Sequence, residues 1–262
     1  MIKNVISPIK YALRTRRAWW FTATARTRAR YSRTILGSLW LGISNLLFVL
    51  ILGFVYGFVF NVENFKEYYI YLGLGFSAWN TIGGSLNSSP NIFENNSANL
   101  INSTLNPIFY VLEEWAFQIQ NFFQAFLMVV VFLSLLDYKI FFNFLICSPI
   151  HFLNISIFIF WAPLIICLLA SKYCDIYQLI PIFTQLIFLL SPILYQEKNL
   201  GSLSLVADYN LIYKVLALFR DSIILGNFYW MEGLILLLIN LIMTIISINL
   251  LESKKNEIIY YL

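Results

Sequence analysis

Long apolar runs alternate with shorter polar stretches along this chain. At about 20 apolar residues per crossing, the runs predict helices at approximately 37–60, 68–89, 111–136, 143–170, 177–195 and 229–251. Residues 1–262 therefore read as one all-α integral membrane domain with six transmembrane helices.

Three polar stretches stand out. Residues 5–33 interleave Tyr11, Trp19, Trp20, Phe21 and Tyr31 with arginines, the pattern of an amphipathic helix lying in the membrane interface. Within it Arg26, Arg30 and Arg33 recur at i, i+4 and i+7, which predicts one helical face. The second stretch, Ser85 to Asn106, is rich in Asn and Ser with the apolar pegs Ile92, Phe93, Leu100 and Ile101, and reads as a short docking helix or an ordinary turn. Glu113 and Glu114 follow it, either paired with the amino-terminal arginines or solvated. The third, Gln196 to Phe228, is too polar to cross and predicts two short amphipathic helices forming a re-entrant outer hairpin, or lid, between spans five and six.

Composition strengthens the reading. The chain is 60% hydrophobic and 11% charged, whereas soluble domains run about 45–50% apolar and about 25% charged. Nine of its 17 Lys and Arg precede residue 34 and no acid precedes Glu63, so the amino terminus is expected in the cytoplasm. Six crossings return the carboxyl terminus there, with Lys172, Lys254 and Lys255, and leave Lys66, Lys139, Lys198, Lys214 and Arg220 outside. The net charge of +4 is concentrated at one end, which suits anionic lipid headgroups rather than nucleic acid. Cys147, Cys167 and Cys174 show no metal-knuckle spacing and read as packing residues. The first apolar run is too long and too far from the start for a cleaved signal, and should be retained.

No phosphate loop, H-E-x-x-H or G-x-S-x-G motif is present, and no nucleophile stands beside a base, so an enzyme is not expected. The single histidine, His151, lies in an apolar run and reads as structural or interfacial. Gly73, Gly75, Gly83 and Gly84 lie in a span, where glycine permits close helix packing. Aromatic residues make up 18% of the chain. Most belong to lipid-facing surfaces and interfacial belts. Tyr56, Phe60, Trp79, Trp161 and Tyr195 are candidates to line a path for a sugar chain, since flat rings present apolar faces to pyranose C–H groups.

Several runs together resemble the polysaccharide-exporting branch of type-2 ABC transporter permeases. The stretch Arg28-Ala-Arg-Tyr-Ser-Arg-Thr-Ile-Leu-Gly-Ser-Leu-Trp40 is similar to the family's RY-x-[RQ]-[TS]-x-LG-x-LW signature. Tyr69 to Trp79 resembles its Y-x-x-YL-x-x-GL-x-x-W second span, Asn95 to Ile101 its N-x-x-LI coupling segment, and Ser191-Pro192-Ile193-Leu194-Tyr195 its SP-x-x-Y motif. Asn210-Leu211 through Phe219-Arg220-Asp221 and Gly226 resembles the NP…FR…G outer hairpin. The chain departs from the pattern at Leu211, Cys174 and Asn45, where Pro, Arg and Pro are frequent.

The resemblance implies a bacterial inner-membrane permease that dimerises, binds two separate ABC ATPase subunits carrying the ATP and Mg, and exports an undecaprenyl-type lipid-linked glycan such as O-antigen lipopolysaccharide, capsule or teichoic acid. By the same pattern Arg26, Arg28, Arg30, Tyr31 and Arg33 form the interface near the lipid pyrophosphate. Asn95, Asn96, Asn99, Leu100 and Ile101, within a coupling segment over 91–106, dock on the ATPase together with Asp175. Residues 200–226, including Asn210 and Arg220, form the outer gate, and Tyr56, Phe60, Trp79 and Tyr195 line the substrate path. No metal or cofactor is expected on this chain. A permease for a lipid or drug, or an integral-membrane glycolipid transferase, are the rival readings.

Overall fold

The computed structural model describes residues 2–102, 105–195 and 209–261. Among the described residues there are twelve helices and no strands: α1 (Ile2–Arg14), α2 (Arg16–Arg30), α3 (Leu39–Val59), α4 (Phe65–Ser88), α5 (Asn91–Glu94), α6 (Ser97–Asn102), α7 (Ile108–Leu136), α8 (Lys139–Cys147), α9 (Pro149–Ala170), α10 (Ile176–Leu190), α11 (Leu211–Leu225) and α12 (Trp230–Tyr261).

Four of them, α3, α7, α9 and most of α12, are long and apolar enough to cross a membrane. The other two expected spans fall short in different ways. At 15 residues, α10 reaches roughly 22 Å at 1.5 Å per residue, less than the ~30 Å hydrocarbon core. The 24 residues of α4 are long enough, but Ser77, Asn80, Thr81, Ser85, Asn87 and Ser88 lower its apolarity. Neighbouring helices cover most of α4, so its polar groups need not meet lipid.

The amino-terminal stretch divides into two helices at Thr15, and α2 stops at Arg30, where Tyr31, Ser32 and Thr34 donate into tight turns. This corrects the expectation of one helical face: Arg33 lies beyond the helix that carries Arg26 and Arg30. The expected fourth span, 143–170, is likewise two helices. The chain breaks at Ser148, whose Oγ donates to the Phe144 carbonyl at 2.5 Å, and Pro149, lacking an N–H, starts α9. The expected docking segment folds as α5 and α6 joined by a turn at Asn95 and Asn96.

Packing defines two ends. At one, Tyr11 and Trp19 of the amino-terminal helices join Ile92, Phe93 and Leu100 against the start of α7, the end of α9 and the end of α12. At the other, α8 and α11 close over the start of α9: Asn143 Nδ2 donates to the Ile223 carbonyl at 2.9 Å and His151 Nε2 lies 2.9 Å from the Phe228 carbonyl. Gly226 ends α11 with φ +68°, a left-handed cap that admits glycine at no steric cost. Between the ends, Phe122, Phe126, Phe219, Leu133, Ile155 and Ile159 form the main core. The outer faces of α3, α10 and α12 stay apolar and exposed, as at Ile51, Phe54, Phe58, Ile182, Leu186, Leu238 and Ile242, the surface a lipid-embedded bundle requires.

Candidate functional site

On α4, Ser77, Thr81, Gly84 and Ser88 recur at helical spacing, and on α7 Glu114, Gln118, Asn121 and Ala125 do the same. The two stripes face each other across a cleft of about 740 Å³ that α2 and α3 complete. Asn45 of α3 crosses to α4, its Nδ2 donating to Ser77 Oγ at 2.9 Å while its Oδ1 accepts from Asn80 Nδ2 at 2.9 Å. Asn45 thus supplies the amide that ties the two helices. Asn121 Oδ1, also on the cleft wall, is buried and accepts no hydrogen bond among the described residues.

The mouth of the cleft is charged. Arg26 and Arg30 line it, and the Arg26 guanidinium lies 4.1 Å from the Phe117 ring centroid. Arg26 Nη1 donates to Glu114 Oε2 at 2.6 Å. Glu114 is buried, and its Oε1 also accepts from Ser88 Oγ at 2.7 Å and Gln118 Nε2 at 2.8 Å. A buried carboxylate is tolerated here because Arg26, Ser88 and Gln118 all donate to it. Of the two sequence readings for the acid pair, Glu114 takes the arginine-paired one.

Behind this ion pair lies a second pocket of about 280 Å³, sharing Arg26, Ser88 and Glu114 with the cleft and bounded by Asn91, Asn95, Asn96, Tyr110 and Glu113. The Arg26 to Glu114 contact is therefore a partition: the polar cleft on one side, the α5 to α6 turn on the other. Asn96 Nδ2 donates to the Ile92 carbonyl at 2.8 Å, Leu100 is buried against α7, α9 and α12, and Asn95, Asn99 and Ile101 are exposed. Asp175 is exposed at the start of α10, whose Tyr177 donates to Glu94. The expected coupling residues thus share one end of the bundle with the arginines.

The remaining expected residues lie elsewhere. Arg28 and Arg33 are exposed and do not line the cleft, and Tyr31 packs its ring 5.6 Å from the Arg30 guanidinium. Tyr56 stacks on Phe60 at 5.6 Å beside the Tyr68, Leu72 and Leu194 cluster, and Tyr195 donates to the Leu189 carbonyl at 2.7 Å. Trp79 packs 5.5 Å from Phe188 in a separate open pocket with Asn87, Thr184 and Gln185. Trp161 is in the core, its Nε1 donating to Asn240 Oδ1 at 2.9 Å. None of these aromatics lines the arginine cleft; Phe188, the neighbour of Trp79, also packs on the cluster that Tyr56 and Tyr195 flank.

Arg220 and Asn210 organise the opposite end. Arg220 is almost fully buried, donating from Nη1 to the Pro192 carbonyl at 3.0 Å, from Nη2 to Tyr213 Oη at 3.1 Å and from Nε to Asp221 Oδ1 at 2.8 Å. Burial alone would lower the affinity of its guanidinium for the proton; Tyr71, Asp221 and Tyr213 outweigh it and hold the group above its ordinary range. Asn210 Oδ1 caps α11 by accepting from the Ile212 and Tyr213 amides, and its Nδ2 donates to Ser191 Oγ at 3.0 Å. Of the expected hairpin over 200–226, residues 200–208 lie outside the described residues; the rest is the single helix α11 with its caps.

Searched against known proteins, the chain matches no family model and no curated protein.

Proposed function

We propose that this chain is the transmembrane subunit of an ATP-driven exporter that moves a lipid-linked polysaccharide, O-antigen or similar, across the bacterial inner membrane. In this reading the chain crosses six times with both termini in the cytoplasm, pairs with a second copy, and is driven by two ABC ATPase subunits that dock on α5, α6 and Asp175. The reading draws on the sequence resemblance, and one observation supports it above the rest: a polar cleft inside an otherwise apolar bundle, with Arg26 and Arg30 at its mouth. An apolar bundle has no use for a polar cavity of this size unless something hydrophilic enters it, because buried unpaired polar groups destabilise it. Cationic guanidiniums at the mouth suit the phosphate-bearing head of a lipid carrier, which they bind in bidentate fashion. The α4 to α5 corner stands between that cleft and the proposed docking segment, so movement imposed on the segment reaches the mouth directly.

The test is export in cells. A strain lacking the chain is complemented with wild type or with Arg26→Gln/Arg30→Gln, and surface glycan and membrane insertion are measured together. Loss of surface glycan with normal insertion is expected of the double variant. Surface glycan that is unaffected by deleting the chain overturns the polysaccharide reading and favours a lipid or drug as cargo.

A further inference from the structure

Glu114 is placed as though it were a ligand. It lies on the wall of the cleft, contacts Arg26 through one oxygen and is held through the other by two neutral donors, Ser88 and Gln118. Removing Arg26 would therefore leave the carboxylate still hydrogen-bonded, the condition for an ion pair that can open without stranding a buried charge. Arg26 is equally prepared for exchange. Its side chain is 45% exposed, and its guanidinium rests against Phe117, which keeps it at the mouth whether or not Glu114 is bound. Arg30 adds a second positive charge on the same rim, and among the described residues Glu114 is the one carboxylate lining the cleft, so the rim retains a net attraction for anions.

We propose that Glu114 is an internal counter-ion that a phosphate-class anion displaces from Arg26 when it enters the cleft. This deepens the export reading and rests on it for the identity of the anion. The displaced carboxylate stays on Ser88 and Gln118, facing the pocket under Asn95 and Asn96, so occupancy of the cleft changes the charge presented beneath the α5 to α6 turn. Arg26 and Arg30 supply the binding charge, and Arg28 and Arg33 supply none.

Binding to the full chain in phosphatidylcholine nanodiscs tests this with two probes, farnesyl pyrophosphate and inorganic pyrophosphate. Glu114→Gln keeps the shape and removes the competing charge, so it should bind farnesyl pyrophosphate about tenfold more tightly than wild type, the scale of one charge-assisted hydrogen bond. Arg26→Gln should lose binding and Arg33→Gln should leave it unchanged. A gain with farnesyl pyrophosphate alone identifies a lipid headgroup, and a gain with both probes identifies a phosphate site open to soluble anions. Weaker or unchanged binding by Glu114→Gln overturns the proposal, since a merely structural ion pair predicts one of those. Should that variant fail to fold, Ser88→Ala and Gln118→Ala serve instead. Each removes a donor that holds the released carboxylate and should weaken the anion about threefold; unchanged affinity in both overturns the proposal. Cellular export distinguishes the two ideas: export that continues in an Arg26→Gln strain sinks the anion exchange alone, whereas pyrophosphate exchange in a chain whose deletion spares surface glycan sinks the export reading alone.

Discussion

Arg220 and Tyr71 converge on one carbonyl. The guanidinium lies 4.0 Å from the centroid of the tyrosine ring, and Arg220 Nη1 and Tyr71 Oη both donate to the Pro192 oxygen, at 3.0 and 2.6 Å. The chain leaves α10 at Ser191 in an extended conformation, so the carbonyls that follow have lost their helical partners. Side chains replace them: Tyr68 Oη donates to the Leu194 carbonyl at 2.6 Å and Tyr71 Oη also to that of Tyr195 at 3.1 Å. The end of α10 is thereby fastened to α4 and α11.

Breaking this clasp should be costly. Arg220→Met takes the guanidinium away from the Pro192 carbonyl, the Tyr213 hydroxyl and the Asp221 carboxylate, and should lower stability by about 3 kcal/mol, the range for removing one partner of a buried charged network. Tyr71→Phe removes one hydroxyl while Arg220 keeps the Pro192 carbonyl satisfied, and should cost about 1 kcal/mol. Thermal unfolding of the purified variants in detergent measures both. Equal melting temperatures for the two would show that Arg220 does not hold the α10 end.

A second polar chain joins α9 to α12. Trp161 Nε1 donates to Asn240 Oδ1, and Asn240 Nδ2 donates to Asn154 Oδ1 at 3.0 Å, while Asn154 reaches the Gly233 carbonyl at 3.0 Å. Hydrogen bonds between membrane helices contribute on the order of 0.6 kcal/mol each. Trp161→Phe, losing one, should therefore lower stability by about that amount. Asn240→Leu, cutting the chain in the middle and leaving Asn154 Oδ1 and the Trp161 indole N–H unpaired, should cost about 2 kcal/mol. Denaturant unfolding in mixed micelles resolves the difference, and a milder effect at Asn240 than at Trp161 would contradict the connected network.

Glycines of α4 should divide by neighbour. A methyl group at Gly73 would meet Leu133 Cδ1 at 3.1 Å, Val49 Cγ1 at 3.3 Å and Val129 Cγ1 at 3.4 Å, whereas at Gly84 the nearest atom is Gln118 Oε1 at 3.8 Å, on the cleft wall. Gly73→Ala forces Leu133, Val49 and Val129 to give by a few tenths of an ångström in a packed core and should destabilise by about 1–3 kcal/mol, the usual cost of overpacking. Gly84→Ala should be neutral or slightly stabilising through helix propensity. Folded yield and melting temperature after purification provide the comparison.

What the sequence disclosed and what it concealed have separate causes. Apolar runs revealed the helices because burial in lipid or protein imposes long hydrophobic stretches. Breaks inside them were harder to foresee. Ser148-Pro149 interrupts what reads as one span, and Tyr31 ends α2 although the arginine spacing continues past it. Glu114 and its arginine were suggested by the cost of an isolated carboxylate, but which arginine, and that Arg28 and Arg33 point elsewhere, depended on where the helix stops. The cleft itself had a signal that hydrophobicity alone obscures: Ser77, Thr81, Gly84 and Ser88 on α4, and Glu114, Gln118 and Asn121 on α7, recur at helical period as small and polar stripes. Where the candidate aromatics point was hidden because ring type says nothing about direction. Trp161 and Trp79 both joined the main core, the first hydrogen-bonded to Asn240 and the second packed on Phe188.

The cleft should contain water, and a thiol can report it. Asn80 is exposed midway along α4 on the cleft wall, whereas Leu133 is fully buried in the core. Cys147 and Cys167 are buried and Cys174 is exposed, so Cys174→Ser provides a quiet background. In that background Asn80→Cys should react with a charged, membrane-impermeant thiol reagent at least about tenfold faster than Leu133→Cys, because only a hydrated thiol ionises and meets the reagent. Sidedness follows from the proposed topology: with α2 at the cytoplasmic face, the reagent should label Asn80→Cys in inverted vesicles and leave it unmodified in intact cells whose outer barrier has been permeabilised. Labelling at equal rates from both faces would mean a path open across the membrane, and labelling from the outer face alone would reverse the orientation inferred from the amino-terminal charge.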